Sequence, residues 1–250
     1  MKTNESKEEK NLKITVCSVV KNDTFFLEMM LKSALEFADE IIITDDSDDD
    51  KNLKLCEKLN RDNKIKHFVN HFGDNFGKGR QFAHDQATGD WILWLDADEV
   101  IHEGNTKIIP KLIKQLISFE IDVCHVEYLH FINDFTHVDN SCNPHIGLYR
   151  LYKNYGKEIK FITTNHSLPK YNWKKLIFTD KILIWHLGYL RGMEKIKERF
   201  LRNYRYGTLE QPRWRDWHYF GDYPTRTIDP KIIPKVLRNG YLMDLGDSFT

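Results

Sequence analysis

Apolar residues in this chain come in short runs, and a polar cluster closes most of them. Leu12 to Val20 (LKITVCSVV) is rich in β-branched residues and predicts a first strand. Lys21-Asn22-Asp23 ends it. From Phe25 to Phe37 the apolar positions fall at helical spacing (Phe26, Met29, Met30, Ala34, Phe37), with Asp23 or Thr24 placed to cap the helix. Glu40 to Thr44 predicts a second strand and Lys64 to Val69 a third. Strand, helix, strand at this spacing is a βαβ unit, so the sheet is parallel. Trp91 to Leu95 predicts a buried strand, bounded by polar residues on both sides. Thr106 to Phe119 predicts an amphipathic helix, with Pro110 near its first turn, where proline is tolerated. Strands are expected at Ile121–Phe131, Gly147–Tyr152 and Lys181–Trp185, with a polar loop over Asn133–Pro144. Met193 to Tyr206 predicts a basic amphipathic helix, and Pro224, Pro230 and Pro234 interrupt the C-terminal stretch.

The polar clusters at Lys21, Asp45 and Asp96 all lie at the C-terminal ends of predicted strands. In open parallel sheets that edge is where ligands bind. The cluster at Asp96-Ala97-Asp98-Glu99 carries three carboxylates in four positions. Unpaired charges beside a core are costly to desolvate. A divalent cation is the natural partner, because magnesium and manganese take carboxylate oxygens. Asp96 and Asp98 are two apart, so along an extended chain they point the same way. The bland alternative is a solvated acidic turn. The same alternative stands for Asp48 and Asp49 in the run Asp45–Asp50.

Composition narrows the class. At 250 residues the chain is one domain, or one domain with a C-terminal extension, and 41% hydrophobic residues suffice for a core. Lys+Arg and Asp+Glu both number 37, and zero net charge argues against a nucleic-acid partner. No apolar run approaches the roughly 18 residues of a membrane span. Met1 to Lys10 is polar, reads as a disordered arm, and lacks the pattern of a secretory signal. Cys17, Cys56, Cys124 and Cys142 are scattered, without metal-ligand spacing, which fits a reducing, cytoplasmic setting.

The stretch Gly89-Asp90-Trp91-Ile92-Leu93-Trp94-Leu95-Asp96-Ala97-Asp98-Glu99 resembles the DXD region of family 2 glycosyltransferases. Lys13–Asp50 is similar to the opening of those enzymes, with Ala38-Asp39-Glu40-Ile41-Ile42 an especially close match. Arg80 matches a family arginine, although Gln81 follows it where asparagine is usual. The likeness runs from about Lys13 to Tyr206. It implies a GT-A-type α/β/α sandwich with a mostly parallel central sheet and a small C-terminal acceptor region. On that basis residues 1–11 are an arm, 12–206 the glycosyltransferase domain, and 207–250 an aromatic-rich extension.

The resemblance also implies a reaction: transfer of a sugar from a UDP- or GDP-type nucleoside-diphosphate sugar to a hydroxyl on a glycan, a lipid-linked acceptor or a protein, with inversion. Val19, Lys21, Asp45, Asp46, Arg80, Asp96 and Ala97 would meet the nucleotide sugar. Asp98 and His186 would bind Mn²⁺ or Mg²⁺. Relatives often carry His-Glu where this chain has His166-Ser167, and serine is a poor base. The base is therefore His166 or a carboxylate from elsewhere, for example Asp134 or Asp180. Glu99 is expected to brace the DXD turn. The aromatic stretch Trp214–Tyr223 reads as an acceptor platform, as core packing, or as the contact of a homodimer. Two rival classes remain open: a nucleotidyltransferase, which would normally show a Gly-rich loop after the first strand, and a non-catalytic carbohydrate- or protein-binding module on the same fold.

Overall fold

Strand β1 (Ile14–Val20) is buried at all seven positions. A strand covered on both faces needs apolar residues throughout, as its β-branched run provides. The structure is a computed structural model and describes residues 12–73, 75–132, 134–139, 148–162, 169–191 and 225–238. Parallel to β1 lie β2 (Glu40–Asp45) on one side and β4 (Trp91–Trp94) on the other, and β3 (Ile65–Val69) extends the sheet beyond β2. Alternate residues of β1 feed two cores. Val16 and Val20 pack with Leu27, Met30 and Leu31 of helix α1 (Thr24–Ala34). Cys17 and Val19 pack with Ala83 of helix α3 (Phe76–Gln86). Between them in the chain runs α2 (Lys51–Leu59), whose Leu55 and Cys56 join the α1 side. Helices on both faces of the sheet make the expected α/β/α sandwich.

The second half of the chain completes the sheet. After β5 (Glu99–Ile101) come α4 (Glu103–Thr106), α5 (Ile109–Ser118), β6 (Val123–His130), β7 (His137–Asp139), β8 (Leu148–Lys153) and β9 (Leu176–His186). The sheet order is β3-β2-β1-β4-β8-β6-β9-β5. The pairs β4–β8, β8–β6 and β9–β5 are antiparallel, and the other four are parallel. β5 thus lies four places from β4, about 19 Å across a flat sheet. The five residues from Trp94 to Glu99 reach about 17 Å when fully stretched, and here they are folded into a turn, with the Glu99 N–H on the Asp96 carbonyl at 3.0 Å. The sheet therefore curls, and its far edge returns to the carboxyl end of β4. No helix among the described residues is long and apolar enough to cross a membrane.

Several boundaries differ from expectation. The helix expected from Thr106 begins at Ile109, because α4 closes first through Thr106 Oγ1 on the Glu103 carbonyl, 2.7 Å. The expected loop over Asn133–Pro144 contains β7, which pairs with β10 (Thr225–Thr227). β9 starts at Leu176, five residues before the expected Lys181, since it also pairs with β6. A short helix α6 (Lys235–Arg238) follows Pro234. The arm 1–11, the helix expected at Met193–Tyr206 and the Trp214–Tyr223 stretch lie outside the described residues, as does Cys142. Cys17, Cys56 and Cys124 are buried free thiols.

The Ala38-Asp39-Glu40 segment pins three strands together at the end of the sheet remote from the acidic turn. Glu40 accepts from Thr15 Oγ1 and from the Thr88 N–H, both at 2.7 Å. Thr15 Oγ1 in turn accepts the Gly89 N–H at 2.9 Å. A Cβ on Gly89 would stand 2.6 Å from Thr15 Oγ1 and 2.8 Å from the Thr15 nitrogen. Gly89→Ala should therefore destabilise the fold by about 1–3 kcal/mol, as overpacking does, seen as a lower urea midpoint.

Candidate active site

The turn after β4 is built around Glu99. Its Oε2 accepts the Asp96 N–H at 2.8 Å, so the side chain braces the turn from within. Oε1 accepts from Tyr128 Oη at 2.8 Å and from Arg150 Nη2 at 2.7 Å. Glu99 is only 1% exposed. Burial pushes its carboxyl well above the ordinary range, Arg150 pulls it back, and Asp96 and Asp98 push it up again.

Asp96 and Asp98 leave this turn in different electrostatic settings. Asp96 is clamped. Arg150 Nη2 donates to its Oδ2 at 2.9 Å, and Trp94 Nε1 and Arg80 Nη2 donate to its Oδ1 at 3.2 and 3.4 Å. Arg80 reaches it from the buried face of α3, with its guanidinium 5.6 Å from the centre of the Trp94 ring. Asp98 turns the other way. Its Oδ2 lies 3.8 Å from His186 Nε2 and accepts from Arg191 Nη2 at 2.9 Å. The β5–β9 pairing sets Glu99 opposite His186, which brings the histidine to the turn across 87 residues of sequence (186 − 99). His186 Nδ1 faces His130 Nδ1 at 2.8 Å. One of these two nitrogens must carry the proton. A proton on His186 Nδ1 leaves Nε2 as a lone-pair donor toward Asp98, and His130 then fixes the ring as an outer partner fixes a metal-ligating histidine.

Beside this lies a second polar corner, where β1 and β2 end. Lys21 Nζ binds Asp46 Oδ2 at 2.9 Å, and His71 Nδ1 lies 3.3 Å from its Oδ1. Asp45 is turned inward. Its Oδ1 accepts from the Ser47 N–H and from Asn52, and its Oδ2 meets His67 Nε2 at 2.9 Å. Burial alone would raise the Asp45 carboxyl; the bonds from His67, Ser47 and Asn52 outweigh it and hold it below its ordinary value. Val19 and Ala97 are buried at the same carboxyl edge.

The chain thus gathers Lys21, Asp46, Arg80, Asp96, Asp98 and His186 along one end of the sheet. Asp134 sits four residues beyond His130, in a local turn. Burial raises its carboxyl, but bonds from Thr136 and His137 prevail and hold it below its usual value, which makes it a weaker base. His166 lies outside the described residues. Four participants escape a reading of the sequence: Arg150, Tyr128, Asp23 and Arg191. Arg150 has a signal, a lone charge inside the apolar run GLYRLY. Asp23 carries only the mark of a helix cap, yet its carboxylate meets Arg191. Among the described residues no group of three or more His, Cys, Asp or Glu side chains is placed to hold a metal ion.

Comparison with known proteins adds a family and a fold. The model described as Glycosyl transferase family 2 matches residues 4–174. A TPR repeat-containing protein of Synechococcus elongatus is 26% identical over 246 residues, which is 94% of this chain and 53% of that protein. The SPbeta prophage-derived glycosyltransferase SunS of Bacillus subtilis is 28% identical over 194 residues, 76% of this chain and 43% of SunS. The chain spans about half the length of these curated relatives. Among solved structures, S. aureus TarS 1-349 aligns with a TM-score of 0.52 and 17% identity, covering 76% of this chain and 65% of that one. The same TarS fragment in complex with UDP gives a TM-score of 0.52 and 17% identity, covering 76% and 64%. At that identity the likeness concerns the fold alone.

Proposed function

The chain belongs to glycosyl transferase family 2, and on that premise we propose that it moves a sugar from a nucleoside-diphosphate sugar to a hydroxyl acceptor, inverting the anomeric carbon. One observation carries the reading: each of the two aspartates behind β4 meets an arginine, but Asp98 also meets an imidazole. Asp96 is clamped between Arg80 and Arg150, whereas Asp98 lies between Arg191 and His186. The first is a fixed acceptor for donor hydroxyls. The second belongs to a donor set of carboxylate and imidazole that suits Mn²⁺ or Mg²⁺, and the 3.8 Å between them fits a shared cation. Asp98 and His186 would hold such an ion, and two protein ligands would leave it open to further oxygen ligands. When bound, the cation would supply neutralisation of the charge that develops on the leaving diphosphate.

The protein's own residues do the remaining work. Lys21 and Asp46, at the mouth between β1 and β2, offer a donor and an acceptor to a nucleobase and ribose. Asp45 supports them from beneath by fixing Ser47 and His67. His166 and Asp134 are the candidates for removing the acceptor proton, and the depressed Asp134 carboxyl favours testing His166 first. The acceptor is a glycan, a lipid-linked sugar or a protein.

The UDP complex of TarS makes UDP-type donors the first choice for a test. A thermal-shift panel of UDP- and GDP-sugars, with and without Mn²⁺, should show a metal-dependent rise for one nucleotide class. At a hundredfold excess over Kd the stabilisation is about 2.7 kcal/mol, roughly 5–10 °C for a chain of this size. A flat response to every nucleotide, with metal and without, refutes the reading.

A further inference from the structure

Arg191 stands where two carboxylates converge. Its Nη2 donates both to Asp23 Oδ2 and to Asp98 Oδ2. Its guanidinium lies 4.8 Å from the centre of the Phe26 ring, and its buried Nε has no hydrogen-bond partner among the described residues. Asp98 Oδ2 is therefore the atom that faces Arg191 on one side and His186 Nε2 on the other. The side chains of Asp23, Asp98, His186 and Arg191 are all at least four-fifths buried (exposures of 11, 7, 7 and 19%). A positive group bound to that oxygen at hydrogen-bond distance and a divalent cation on the same oxygen would repel each other strongly in so enclosed a place.

We propose that Arg191 is the resident counter-ion of the Asp23–Asp98 pair, and that a divalent cation enters only by displacing it from Asp98. The inference rests on the metal-assisted transfer proposed above. Charge counting gives it a consequence. Among the described residues, two carboxylates and one guanidinium meet here and sum to −1. Adding a divalent ion while the arginine stays in the cleft brings the sum to +1, which a bare protein site disfavours. The donor's diphosphate supplies the missing negative charge, and the displaced guanidinium has that Nε to offer it. Cation alone therefore binds weakly, and cation and nucleotide strengthen each other's binding by the same factor. Arg191 is a positioning residue in this scheme: it keeps the acidic site compensated until metal and donor arrive together.

The test is calorimetric titration of MnCl₂ into the full chain, with and without UDP, for wild type, Arg191→Gln and Arg191→Lys. Arg191→Gln should bind Mn²⁺ alone on the order of tenfold more tightly, the worth of a charge-assisted hydrogen bond, and UDP should improve that affinity less than it does in wild type. Arg191→Lys keeps the charge on a side chain one bond shorter, so its ammonium should hold the two carboxylates less well than Nη2 does and the variant should fall between. If circular dichroism shows Arg191→Gln unfolded, the lysine variant carries the test with the same sign. Equal Mn²⁺ affinity in the folded variants and wild type overturns the proposal, even where a metal-dependent UDP-sugar shift upholds the functional reading. Tighter metal binding in Arg191→Gln supports it, even where no nucleotide binds and that reading fails. Absence of Mn²⁺ binding in wild type and variants alike overturns the proposal, and the functional reading is then decided by the nucleotide-sugar panel.

Discussion

Replacing Arg150 with methionine should lower the stability of the fold by about 3–5 kcal/mol, the range seen when one partner of a buried ion pair is removed. The guanidinium is 4% exposed and bridges Asp96 and Glu99, with the Tyr128 hydroxyl on its Nε. Methionine fills much of the volume but removes the cation that two carboxylates and a phenol oxygen share. The loss should depend on pH, and its sign is fixed by Glu99. Burial already raises that carboxyl, and Arg150 is what pulls it back. A carboxyl raised on folding contributes fully below the unfolded-state value and loses that contribution as pH rises through the folded-state value. Below about pH 8 Glu99 is protonated in both folded forms, so the loss relative to wild type should be constant there and should grow as pH rises above about 8, where only wild type has Arg150 to receive the ionised carboxylate. The double variant Arg150→Met/Glu99→Gln should recover part of the loss and flatten the pH dependence. Urea unfolding across pH 5 to 9 reads both effects. A single variant within about 1 kcal/mol of wild type at every pH would mean that the turn does not lean on Arg150.

The same residue shows why parts of this site are legible in the sequence and parts are not. β1, β2 and β4 are buried on both faces, so their identity is written as continuous apolar runs, and the polar residues ending them mark the ligand edge. Asp96, Asp98 and His186 are readable because each lies directly behind such a run. β7 and β10 are not, since each is three residues long and they pair across a long stretch of sequence. A strand that short has no periodicity to detect. β5 is hidden for another reason: it comes straight after the acidic turn, and only the curl of the sheet gives it a partner in β9. α2 begins at once after the acidic run, and its buried positions are Asn52, Leu55 and Cys56. Asn52 is buried to serve Asp45 and Ser47, a polar role that hydrophobic patterning cannot register. The four missed participants share one property. Arg150, Tyr128, Asp23 and Arg191 are defined by partners 22 to 168 residues away, so their roles exist only once the sheet has closed.

Asp98→Asn should abolish the metal-dependent part of donor stabilisation and lower turnover by about 10³-fold, since a Lewis-acid contribution of several kcal/mol is lost. The fold should tolerate the change. Asparagine keeps the size of the side chain, Arg191 keeps Asp23 as its anionic partner, and the turn stays closed through Glu99 and the Asp96 N–H. Asp96→Asn should behave in the opposite manner. It removes the charge that compensates Arg80 and Arg150, both buried, so stability should drop by several kcal/mol, while any metal dependence that survives should be that of wild type. The two substitutions are chemically identical and stand two residues apart, so a difference between them isolates electrostatic setting from composition. The paired measurement is a urea midpoint and an Mn²⁺-dependent UDP shift for each variant. If Asp98→Asn retains the wild-type shift, the cation is held elsewhere. If both variants lose stability equally, Asp98 is as much a structural counter-ion as Asp96, and the division of labour between them is wrong.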